Sequence, residues 1–198
     1  MITGQEKFIL DMIKKSLIGK ELTNEKNGDA GRDFEDKIES MGIIINRGNG
    51  VDCKEFDWEF KTRHENATSA QTVGTMLPED VISTKNWYDT PIHKKLKKQL
   101  RATLNEQSMI IDIDLVDFDQ PHIQDICEQA YKHARNQIVS NPHIVYTSQK
   151  GKFYGYFENT NPSKTRSLDW RISDRSMDKL KSMSKSTFGS IFDYSIEE

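Results

Sequence analysis

The chain is 198 residues long, 30% charged, and carries a slight acidic excess for a net charge of −3. That length suffices for a sizeable core in one domain, and the charge excludes a globally basic nucleic-acid binder, so any such binding must come from a local patch. Cys53 and Cys127 show no metal spacing, the first residues lack a basic region followed by an apolar run, and no stretch approaches a membrane span, so a soluble, cytoplasmic protein of a reducing compartment is expected.

Residues 5–18 place Phe8, Ile9, Met12, Ile13 and Leu17 at helical spacing, with Gly19 positioned to stop the helix. A second helix is predicted over 29–39, with Phe34, Ile38 and Met41 as its apolar edge. Glu35 and Glu39 share one of its faces. Ile43-Ile44-Ile45 reads as a short buried strand leading into the Gly48-Asn49-Gly50 turn.

The most informative stretch follows. Trp58-Glu59-Phe60-Lys61-Thr62 has the aromatic and β-branched content of a strand, so Trp58 and Phe60 point to one face and Glu59 and Lys61 to the other. Asp52 stands seven positions before Glu59, across a segment rich in Asp, Lys and Glu. A tight bend there would return the Asp52 carboxylate to that of Glu59. Two hard oxygen ligands beside a cation suit a Mg²⁺-dependent phosphodiesterase. In that reading Asp52 and Glu59 hold the metal and Lys61 orients the attacking water. A Glu-x-Lys pair alone can equally be a solvated ion pair of little energetic weight.

Asp52, Glu59 and Lys61 fit the D…(D/E)-x-K signature, and their spacing resembles that of the PD-(D/E)XK nucleases of the MutH mismatch-repair and type II restriction-enzyme branch. Gly31-x-x-Phe34-Glu35 is similar to the helix that precedes the catalytic hairpin in many of these nucleases. The resemblance implies that Glu35, in preference to Glu39, completes the acidic cluster.

Thr72-Val73-Gly74-Thr75-Met76 reads as a further strand, expected to join 51–53 and 58–63 in one mixed sheet. Beyond it, Thr90 can cap a helix with Pro91 at its first position, and Ile92, Leu96 and Leu100 recur every four residues. The pattern predicts one helix running to Arg101, whose Lys94, Lys95, Lys97, Lys98 and Arg101 offer a phosphate-binding face or simply a solvated one. This segment resembles the basic helix of the MutH family, and that resemblance implies that Lys95 reaches the active site.

Residues 108–119 alternate sufficiently for a strand, and Pro121 opens a long helix buried through Ile123, Ile126, Cys127, Ala130, Tyr131, Ala134 and Ile138. A hairpin is predicted over 143–158, then a polar loop carrying Lys164 and Arg166, a strand at 168–172 with Arg171, and a last helix at about 174–183. Lys164, Arg166 and Arg171 are candidates for base or phosphate contact.

The expected fold is α/β, a restriction-endonuclease-like mixed sheet flanked by helices in a MutH-like two-lobed arrangement. A catalytic lobe at 1–104 and a second, DNA-reading lobe at 105–198 would form a single nuclease domain. The resemblance implies a Mg²⁺-dependent, sequence-specific endonuclease, with Mn²⁺ as substitute, that cuts double-stranded DNA to leave 5′-phosphates. It would act as a monomer or homodimer in a prokaryotic or phage-like cell. Two alternatives stay open: a mismatch-repair nickase, which would need a mismatch-repair partner protein, and a non-cleaving DNA-binding protein of nuclease ancestry.

Overall fold

The structure is a computed structural model that describes residues 2–23, 26, 28–48, 50–67, 70–140, 155–158 and 167–192. It is a mixed α/β protein with two three-stranded sheets flanked by helices. The chain divides into two units, Met1–Thr68 with Lys97–Asp117, and Ser69–Leu96 with Phe118–Glu198.

The first unit begins with α1 (Gly4–Leu17) and α2 (Asp29–Glu39). Thr3 and Glu6 form a reciprocal capping box at the start of α1, which satisfies two of its orphan amides. Ile18 ends the helix, and Gly19 takes a left-handed turn at φ 83°. Against expectation Phe8 is 72% exposed, because Glu6 takes the inward position at this end of α1 together with Ile13 and Leu17.

The sheet of this unit is β1 (Trp58–His64), β3 (Lys98–Leu104) and β4 (Ile110–Asp117), in the order β1-β3-β4. β1 and β3 run parallel, and β3 and β4 form an antiparallel pair. Its apolar face carries Trp58, Phe60, Leu100, Ala102, Leu104, Ile113 and Leu115, which pack with Ile13, Leu17, Phe34 and Ile38 from the two helices. Phe34 meets Phe60 edge-on at 6.1 Å between ring centroids. The Ile43–Ile45 run is not a strand: it lies outside any sheet, with Ile43 and Ile45 turned inward and Ile44 78% exposed. Alternation in an extended segment lets two of three isoleucines reach the core without a ladder partner.

Parallel strands cannot be joined by a tight turn, so the chain must travel some distance between β1 and β3. It uses that connection to build β2 (Gln71–Met76), α3 (Pro78–Ser83), a single 3₁₀ turn at Trp87–Asp89 and α4 (Pro91–Lys95) of the second unit. The same constraint corrects the expected sheet. β2 does not join β1 but lies in a second sheet of order β2-β6-β5, with β5 (Tyr156–Glu158) and β6 (Leu168–Ile172). It also displaces the expected lobe boundary at 104/105, which falls between two strands paired along most of their length.

The second unit packs α5 (Pro121–Ser140) and α6 (Asp174–Phe192) with this sheet. Its core is aromatic: Trp87, Tyr131, Phe157 and Trp170 form a connected set, with Phe157 and Trp170 edge-on at 4.9 Å. Gln124 organises the polar groups around it, accepting from Trp87 Nε1 at 2.7 Å and donating to the carbonyls of Leu96 and Phe118. Gly155 is obligatory, since a Cβ there would lie 2.1 Å from Trp170 Cζ2. The first strand of the hairpin expected at 143–158 lies outside the described residues. Among the described residues no helix is long and apolar enough to cross a membrane.

One buried polar knot ties α1 to the sheet. The Glu6 carboxylate, 2% exposed, accepts from Trp58 Nε1 at 2.9 Å and from Lys98 Nζ at 2.7 Å. Burial alone would push its carboxyl up, but Lys98, the Thr3 amide and the Trp58 indole outweigh that and hold it below the ordinary glutamate range. A depressed carboxyl contributes stability above its unfolded-state value and loses it as pH falls through the folded-state value. Glu6→Ala should therefore cost about 3–5 kcal/mol at pH 7 by leaving Lys98 uncompensated, with the difference shrinking in acid. Denaturant melts at several pH values measure this, and a cost below about 1 kcal/mol would reduce the knot to an ordinary surface pair.

Candidate active site

Cys53 and Trp58 exchange both backbone hydrogen bonds, at 2.9 and 3.0 Å, and so close a four-residue loop at 54–57. Asp57 turns the chain with φ 54°, a left-handed conformation that aspartate tolerates better than most residues. Asn46 secures the segment that leads into the bend: its backbone amide donates to the Asp52 carbonyl at 2.6 Å and its side-chain Nδ2 to the Val51 carbonyl at 3.0 Å.

The result is the bend expected from the sequence. Asp52 Oδ2 accepts from the Phe60 amide at 2.7 Å, which sets this carboxylate beside the residue that follows Glu59. On the polar face of β1, Lys61 Nζ donates to Glu59 Oε1 at 2.8 Å. Glu59 is 1% exposed, so this is not the solvated pair that the tripeptide alone would allow. Lys61 keeps more contact with solvent, its side chain being 28% exposed.

Glu35 belongs to the same electrostatic cluster. Its carboxyl is pushed up, first by burial and then by the charge of Asp52, with Asp36 and Glu59 adding to the repulsion and Arg47 opposing it. Arg47 bridges Asp36 at 2.6 Å and Glu39 at 2.8 Å, and lies 3.9 Å from Glu35. Glu39 is thus committed to a surface ion pair, while Glu35 is the member of α2 that senses Asp52 and Glu59.

Asp52, Glu59, Lys61 and Glu35 are accordingly brought together within the first unit. The basic segment is not one helix. α4 ends at Lys95, and Lys98 to Arg101 lie on β3. Leu100, Ala102 and Leu104 alternate toward the core, and seven residues of parallel pairing with β1 outweigh the helical spacing of Ile92, Leu96 and Leu100. Lys98 is engaged by Glu6, and Arg101 is 4% exposed. Lys94, exposed, and Lys95, half-buried with its stem along Gly74, belong to the second unit. Lys97 is half-exposed in the link before β3. Arg171 bonds Glu158 at 2.9 Å and the Ala70 carbonyl at 2.7 Å. Lys164 and Arg166 lie outside the described residues.

No protein-family model matches the chain, and no curated protein matches it in sequence. The chemistry of the cluster itself must carry the functional reading. Among the described residues, no three His, Cys, Asp or Glu side chains converge as a closed cation cage. The donor set nevertheless suits a hard divalent cation. Asp52 and Glu59 supply carboxylate oxygens, and the upward push of their charges on Glu35 is the repulsion that such a cation would neutralise.

Gln99 was not among the residues expected from the sequence, and Arg101 was expected on a helix face instead of on β3. Both stand on the polar face of the sheet, in register with Glu59 and Lys61. Their signal was the alternation of Leu100, Ala102 and Leu104 between them and Thr103.

A carboxyl whose folded-state value is raised stabilises the protein below its unfolded-state value and loses that contribution as pH rises through the folded-state value. Glu35→Gln should therefore raise the melting temperature at pH 7 without divalent cation, and the gain should fade below about pH 4. Thermal melts across pH check this. A variant less stable than the wild type at pH 7 would show that Glu35 is held by favourable partners rather than repelled.

Proposed function

We propose that the protein is a metal-dependent DNA endonuclease of the PD-(D/E)XK type, in the MutH-like and type II restriction-enzyme branch. The observation that carries this reading is the bend closed by Cys53 and Trp58, which sets Asp52 beside the buried Glu59–Lys61 pair. Asp52 and Glu59 would hold Mg²⁺, or Mn²⁺ in its place. When bound, the cation supplies polarisation of the phosphate and neutralisation of developing negative charge.

The residues of the chain do the rest. Lys61 directs a water at phosphorus in line with the bond to be broken and favours its deprotonated form. The water oxygen bonds to phosphorus as the bond to the 3′ oxygen breaks, leaving a 5′-phosphate and a 3′-hydroxyl. Glu35 completes the acidic cluster. Lys94 and Lys97 are assigned to backbone phosphates. Lys98, Arg101 and Arg171 are given no such role here, since each has an internal hydrogen-bond partner. The acidic net charge is consistent with a substrate recognised through a local patch.

Cleavage of DNA should require Mg²⁺ or Mn²⁺, while Ca²⁺ should support binding with little cutting, because its looser coordination misplaces the nucleophile. Lys61→Ala should reduce cleavage by about a hundredfold or more with DNA affinity in Ca²⁺ nearly intact, as expected of a group acting in the transition state. Full activity in excess chelator, or normal cutting by Lys61→Ala, would refute the assignment. Counting cut strands on a plasmid separates a restriction enzyme from a nickase.

Phosphate contact is checked separately. Lys94→Gln and Lys97→Gln should each weaken binding to every sequence and shallow the salt dependence by about one unit of log–log slope. Unchanged slopes would make both lysines solvated surface residues.

A further inference from the structure

The polar face of the first sheet is costlier than its position requires. On β3, Gln99 stands opposite Glu59 and Arg101 opposite Lys61, in parallel register that turns all four side chains to one face. Gln99 is 1% exposed and Arg101 4% exposed. A guanidinium withdrawn from water in this way carries a large desolvation cost, and apolar residues of similar volume often serve stability as well or better. The strand itself shows the cheaper solution on its other face, with Leu100, Ala102 and Leu104. Stability alone does not explain the pair.

The contact between the two residues fixes their chemistry. Arg101 Nη1 lies 2.7 Å from Gln99 Oε1. A guanidinium only donates, so this atom of the amide is its oxygen and the amide flip is determined. The bond to Arg101 fixes which end of the amide is the oxygen, and the N–H₂ group at the other end is its donor. Its register partner on the same face is Glu59, whose Oε1 already accepts from Lys61. A donor group on the adjacent strand, on the same face as a carboxylate, can fix the orientation of that carboxylate.

We propose that Arg101 and Gln99 form a positioning pair that holds the Glu59 carboxylate for a divalent cation, Arg101 acting through Gln99 and neither residue touching substrate. The inference rests on the metal-dependent reading of the Asp52–Glu59 site and adds to it residues outside the D…(D/E)-x-K signature.

The test measures Mn²⁺ affinity of the full chain without DNA, by electron paramagnetic resonance, together with melting temperature. Arg101→Met and the near-isosteric Gln99→Met should each weaken Mn²⁺ binding by about tenfold or more, the usual effect of removing a support behind a ligand. Melting temperature should fall with either replacement, because each leaves its partner buried without its bond, so Mn²⁺ affinity is the readout that separates a positioning role from a structural one. Arg101→Lys, which retains a donor for Gln99 Oε1, should recover most of the affinity. If Arg101→Met does not fold, Gln99→Met and Arg101→Lys still decide. Wild-type binding with Gln99→Met within about twofold of it, or a fall in melting temperature with Mn²⁺ affinity unchanged, would make the pair structural and overturn this inference alone. Absence of Mn²⁺ binding by the wild type would overturn the metal-site reading and this inference with it.

Discussion

The candidate site depends on a short closure. Cys53 and Trp58 trade backbone hydrogen bonds across a four-residue loop, and the left-handed Asp57 makes that loop possible. Without the closure Asp52 would be one more carboxylate on a polar connection. With it, Asp52 caps the Phe60 amide and stands next to Glu59, while Trp58 and Phe60 commit the strand to the core. The bend is anchored at both ends by buried groups: Cys53 and Trp58 have no exposed surface, and the Trp58 indole bonds Glu6. Carboxylates that repel one another are therefore held together by packing and backbone hydrogen bonds that a change in their protonation does not break.

Electrostatics gives this arrangement its direction. Asp52, Glu59 and Glu35 form a negative cluster with Lys61 on one side and Arg47 on the other. Arg47 bridges Asp36 and Glu39 on the exposed side of α2, whereas Lys61 bonds the buried Glu59. The two cations thus serve different ends: Arg47 ties its segment to the helix, and Lys61 compensates a carboxylate buried in the sheet. Sites that keep unfavourable charge together commonly do so for binding or catalysis, at some expense in stability.

How much of this was legible in the sequence depended on whether one pattern acted alone. β1 was legible because aromatic residues alternate with Glu59 and Lys61, and the starts of α4 and α5 were legible from Thr90 with Pro91 and from Pro121. The segment after Lys95 was not, because it carries two patterns at once. Ile92, Leu96 and Leu100 recur at helical spacing, while Leu100, Ala102 and Leu104 recur at strand spacing, and only pairing with β1 and β4 selects the second. That choice moved Arg101 from an imagined phosphate-binding face to the buried row beside Lys61. Sheet membership was hidden for a related reason: which strands pair is decided by a crossover whose length the local sequence does not specify. The nearby Ile43–Ile45 run misled because apolar content alone does not distinguish a ladder from an extended segment with two inward side chains.

The central claim is that the Asp52–Glu59–Lys61 bend is a phosphodiesterase site. It is tested most directly by incubating wild-type and Asp52→Asn protein with plasmid DNA and Mg²⁺, then mapping and chemically typing the new ends. The wild type should produce ends bearing 5′-phosphate and 3′-hydroxyl groups, and the variant, which keeps an oxygen for the Phe60 amide but loses the charge, should produce none above background. Plasmid left intact by the wild type, or equal cutting by both proteins, would contradict it.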